Sequence, residues 1–151
     1  AINARTIAAG AVNISEANVA GLAAGNTVFT HRSNTYRGAQ AGYVVTITNA
    51  GGDGYGTSNL ALNFSNSNIF NITLANNCNL DLPSNMTVGQ GGSIIVTQDG
   101  TGSRTLSYAG AWEFPSGTAP TLTTTANAQD RIDYLVVAAN AIHAVASLNV
   151  T

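Results

Sequence analysis

The chain has 151 residues with five arginines, no lysine and seven acidic side chains, a net charge of −2. Charged residues are 8% of it, against roughly 25% in ordinary soluble domains, so it offers no basic footprint for a nucleic-acid backbone. The length fits one domain, a single cysteine excludes an internal disulfide framework and a four-cysteine zinc site, and no apolar run is long enough to span a membrane.

Polarity comes from neutral groups instead: 18 Asn, 18 Thr and 11 Ser. The first forty residues have no strong period. Ser15 can cap a short helix running to Ala24, with Gly25 just beyond it. Thr30–Arg37 gathers two arginines and His31, so residues 1–40 are read as an irregular N-terminal arm and residues 41–151 as the β domain. Arg5, Arg32 and Arg37, three of the five cations, are with Tyr36 the candidates for contact with a larger assembly.

From Gly42 the apolar residues alternate with a period of two, the mark of strands with one buried face. In Gly42–Asn49, Val45 and Ile47 oppose Val44, Thr46 and Thr48, and the turn Gly51-Gly52-Asp53-Gly54 follows. Leu60, Leu62 and Phe64 share a face, as do Phe70, Ile72 and Leu74, then Leu80 and Leu82. Ser93–Gln98 and Ser103–Tyr108, joined by Asp99-Gly100-Thr101-Gly102, are predicted to form a tight hairpin, because Asp-Gly tolerates positive φ. Trp112 and Phe114 alternate toward the core and end at Pro115. Arg131–Ala138 and Ile142–Val150 form a second hairpin about Ala139-Asn140-Ala141. No repeat of fixed period is visible. The predicted fold is all-β, an antiparallel jelly-roll-like sandwich or barrel.

Leu74 to Val150 resembles a module of bacteriophage virion proteins, found in tail-fibre components and small capsid-associated proteins. The resemblance rests on Gly91-Gly92-Ser93-Ile94-Ile95-Val96-Thr97-Gln98-Asp99-Gly100-Thr101-Gly102-Ser103-Arg104-Thr105-Leu106, then on Trp112–Thr123, and on Ala128-Gln129-Asp130-Arg131-Ile132-Asp133-Tyr134 before the last hairpin. It implies a jelly-roll-like β domain, often trimeric, with a structural or adhesive role and no catalytic motif.

The residues supply little chemistry to set against that. Asp99-Gly100-Thr101-Gly102 is a turn, not half of an aspartic-protease dyad, since no second copy exists. Asp130 and Asp133, with Glu113 the carboxylates that glycoside hydrolysis would need, fall on opposite faces of a strand, which better suits a strand-entry residue and an exposed partner for Arg131 or Arg104. His31 and His143 are far apart in the chain and have no metal-ligand spacing. No cofactor or metal is expected, and Cys78 is read as a core residue. Tyr36, Tyr43, Tyr55, Tyr108 and Trp112 are possible members of a sugar-binding patch, with Trp112 better placed in the core.

The leading expectation is a non-enzymatic virion protein, a capsid decoration or cement subunit on the head. It is expected to be a homotrimer bound to the major capsid protein, with Arg5, Arg32, Arg37 and Tyr36 as the capsid-contact candidates, without nucleic acid or membrane. The alternative is a tail-fibre or receptor-binding module whose loops, with Asp53, Tyr55, Ser116 and Thr118 as candidates, recognise host glycans.

Overall fold

The computed structural model describes residues 42–51 and 59–150. The expected arm, the boundary at residue 40 and the helix from Ser15 lie outside them. Among the described residues nine strands follow in order: β1 Val44–Ala50, β2 Asn59–Leu60, β3 Ile69–Leu74, β4 Cys78–Leu80, β5 Gly91–Gln98, β6 Leu106–Tyr108, β7 Trp112–Glu113, β8 Gln129–Ala138 and β9 Ala141–Ser147. A six-stranded sheet has the order β1-β3-β5-β8-β9-β7, and a three-stranded sheet the order β2-β4-β6.

The predicted faces are correct. Ile47, Phe70, Ile72, Leu74, Ile94 and Val96 point inward from the large sheet and meet Leu60, Leu62, Cys78, Leu80 and Leu106. Leu82 is the exception: the chain leaves β4 at Asp81, so Leu82 is exposed and Pro83 is buried in its place. Trp112 and Phe114 are buried, and the Trp112 indole N–H donates to the Asp81 carbonyl at 3.1 Å.

The all-β expectation holds, but the pairing departs from a jelly roll. Among the described residues only β5–β8 and β8–β9 are antiparallel. The ladders β1–β3, β3–β5, β2–β4, β4–β6 and β7–β9 are parallel. Odd-numbered strands β1, β3 and β5 lie in the large sheet and β2, β4 and β6 in the small one, and a parallel bridge joins Asn63 to Ser84. The chain therefore winds in stacked coils, each returning through the other sheet, as in a short β-solenoid. The predicted second hairpin, β8 and β9, lies along the edge of β5 and closes the stack.

The first predicted hairpin does not form, because β5 and β6 belong to different sheets. Asp99–Ser103 turns a corner between them. The Asp99 carboxylate accepts the N–H groups of Thr101 and Gly102 at 3.0 and 2.8 Å and pairs with Arg104 at 2.8 Å. Gly102 has φ +71° and lies against the backbone of Thr124 and Ala126, so a side chain is excluded there twice over. Buried Gln98 ties the corner: its Oε1 accepts the Arg104 N–H, and its Nε2 donates to the carbonyls of Arg104 and Thr123, each at 2.9 Å.

Candidate ligand-binding cleft

Where β1 begins, the turn from Asn63 to Asn68 and the first residues of β5 converge. Asn63 folds this turn locally, since a short amide side chain can bond the backbone two residues on. Its Oδ1 accepts from Ser65 N at 3.0 Å, Ser65 Oγ at 2.8 Å and Asn85 Nδ2 at 3.0 Å, and its carbonyl accepts Asn66 N–H at 3.1 Å. Gln90 clamps the turn from the next coil, donating to the Phe64 carbonyl at 2.8 Å and to Asn68 Oδ1 at 2.7 Å. The Ser67 hydroxyl donates to the Tyr43 carbonyl and accepts Ile69 N–H at 2.8 Å.

Below the turn, the Asn68 carbonyl accepts Ser93 N–H at 3.0 Å and the Tyr134 hydroxyl at 3.2 Å. Gly92 lies directly under this carbonyl, in a space that no β-carbon fits. Burial among Phe64 and Trp112, whose ring centroids lie 4.6 and 6.3 Å from that of Tyr134, pushes the Tyr134 phenol up to about 12.

The result is an open cleft of about 500 Å³, within the size range of small-molecule sites. Tyr43, Ser65, Asn66, Asn68 and the backbone of Gly91–Ser93 line it, and none of the described lining residues is charged. Tyr43 is 75% exposed. Neither its hydroxyl nor the Asn66 amide has a partner among the described residues. The arrangement presents one aromatic face and several amide and hydroxyl groups on a braced rim, which suits recognition of a neutral polar ligand.

The charged groups lie elsewhere. On the outer face of the large sheet Arg131 pairs with Asp133 at 3.0 Å, and His143 with Glu113 at 3.2 Å, beside exposed Leu135 and Val145. Asp133 also accepts the Ser93 hydroxyl at 2.6 Å. Asp130 is buried on the other face, accepting Thr123 N and Oγ1 at 2.7 and 2.8 Å and Asn149 N at 2.7 Å. It holds the β8 terminus together. Cys78 is buried and free, and burial raises its thiol.

Ser116 and Thr118 are exposed about the 3-10 turn Pro115–Gly117, where Ser116 has φ +58°, and they do not line the cleft. Arg5, Arg32, Arg37, Tyr36, Asp53 and Tyr55 lie outside the described residues. Of the suggested aromatic patch, Trp112 is core and Tyr108 is partly buried against Phe114, and neither lines the cleft. Sequence reading passed over Asn66, Asn68 and Gln90. The run Ser65-Asn66-Ser67-Asn68 between Phe64 and Ile69 was their available signal, a polar turn between two strand-like segments.

Among known proteins, the family model described as "Putative phage tail fibre C-terminal domain" matches residues 54–132, just over half of the chain. Comparison with curated proteins and with solved structures finds no match. The matched stretch contains the Asn63–Asn68 turn, both faces of the coil stack and the start of β8, and the chain is a bacteriophage virion structural module that belongs to the phage tail fibre C-terminal domain family.

Proposed function

We propose that the chain is a tail-fibre component that contacts the host surface, binding surface glycans without catalysis. The family match over residues 54–132 carries this reading, because it names the tail and not the head. No observation favours the capsid-decoration reading over it. In this account residues 1–40, with Arg5, Arg32 and Arg37, connect the domain to the rest of the fibre.

Self-association belongs to the same proposal, as a homotrimer meeting through the outer face of the large sheet. That face carries exposed Val44, Leu135 and Val145, with Arg131 paired to Asp133 and His143 standing 3.2 Å from Glu113. The described part of the face therefore carries little net charge to oppose the approach of copies.

The test is adsorption. Purified full-length chain is expected to bind host cells and to compete with phage for attachment. Binding to emptied capsids but not to cells would overturn the proposal.

A further inference from the structure

We infer that the cleft between Tyr43 and Asn66–Asn68 is the sugar site, and that it takes a neutral sugar rather than an acidic one. The inference rests on the tail-fibre reading for its biological setting, but its chemistry is local. A tyrosine ring 75% exposed at the rim offers a flat apolar face to the C–H face of a pyranose. Asn68 is fixed through its Oδ1 by Gln90 at 2.7 Å, which leaves its NH2 group aimed from a set position. The Asn66 side-chain amide makes no hydrogen bond among the described residues. Because Asn63, Gln90 and Ser67 already hold the turn, little ordering remains to oppose binding.

Charge decides the class of sugar. Among the described residues no cation lines the cleft, so they offer a carboxylate or sulfate no counter-ion. Asp133, which accepts the Ser93 hydroxyl at 2.6 Å, is paired with Arg131 at 3.0 Å, so the described cation bonded closest to the lining is already engaged. Hydroxyl-rich neutral rings lose nothing by this, since amides and hydroxyls serve them as both donors and acceptors. Ser116 and Thr118, two of the loop candidates expected from sequence, do not line it, and Asp53 and Tyr55 lie outside the described residues.

Full-length chain is titrated with methyl β-galactoside, methyl α-glucoside, N-acetylglucosamine and N-acetylneuraminic acid, while the NMR signals of the Tyr43 ring and the Asn66 and Asn68 side-chain amides are followed. At least one neutral sugar is expected to shift these signals saturably, and N-acetylneuraminic acid is not. Tyr43→Ala should weaken that binding about tenfold, roughly the loss of one good contact, while Tyr43→Phe largely keeps it. Failure of all three neutral sugars, binding of the acidic sugar through these residues, or indifference to both Tyr43→Ala and Asn66→Ala would each overturn the assignment. Adsorption of the same variants to host cells separates the two readings. If adsorption persists unchanged in both variants, the cleft assignment falls and the tail-fibre reading stands. If the wild-type chain binds sugar but never adsorbs, the tail-fibre reading falls instead.

Discussion

Gly92 and Asn68 meet backbone to backbone beneath the cleft: a β-carbon on Gly92 would stand 1.9 Å from the Asn68 carbonyl oxygen. That contact lets β5 pass under the Asn63–Asn68 turn while Ser93 N–H and the Tyr134 hydroxyl bond the same oxygen. Backbone cannot yield as a flexible side chain can. Gly92→Ala is therefore expected to destabilise the domain by about 3 kcal/mol, read by chemical denaturation, and to loosen the turn. A variant as stable as the parent would show that the contact is not maintained in solution.

Gln98 makes three hydrogen bonds at the corner between β5 and β6. Gln98→Ala strands a buried N–H and two carbonyls, and about 3 kcal/mol of stability should go with them. Thermal unfolding of the variant against the parent checks this. A loss no larger than that of an exposed Gln→Ala change, such as Gln129→Ala, would contradict it.

Tyr108 packs its ring edge-on against Phe114 at 4.7 Å, but its hydroxyl is buried without a partner. Burial, aided by the negative charge of Asp130, drives its phenol well above the usual tyrosine range. An unpaired buried hydroxyl costs free energy, so Tyr108→Phe should leave stability unchanged or raise it by up to about 1 kcal/mol. A clear fall in melting temperature would mean that the hydroxyl has a partner.

Tyr134 gives a prediction for alkaline pH. Its folded value of about 12 exceeds the ordinary 10.0, so the stability it contributes is complete below pH 10 and is lost as pH rises toward 12. Denaturation curves across that window should fall, and Tyr134→Phe should flatten the decline. At the acid end, the Arg104 guanidinium holds the Asp99 carboxyl below its usual 3.8. Its contribution is present above that value and disappears as the pH falls further, a dependence that Asp99→Asn should remove.

The period of two in the sequence marked which side chains face inward, and Ile47, Leu62, Ile72 and Val96 obey it. Direction was not legible, because alternation is the same in parallel and antiparallel strands. The coils also vary in length: Asn59 pairs with Asn79, whereas Cys78 pairs with the more distant Leu106, so stacking leaves no fixed repeat. Asp99-Gly100 marked a turn correctly but not whether the chain doubles back or passes to another sheet. That choice depends on Gln98 and Thr123, which lie far apart in sequence. The cleft was hidden for the same reason, since Tyr43, Asn66 and Gly92 become neighbours only when three coils stack.

The most direct measurement of the central claim is the position of the chain in the particle, with gold-labelled antibody raised against residues 59–150 imaged on intact phage. Labelling confined to the tail is predicted. Gold spread over the head, with bare tails, would contradict the tail-fibre account.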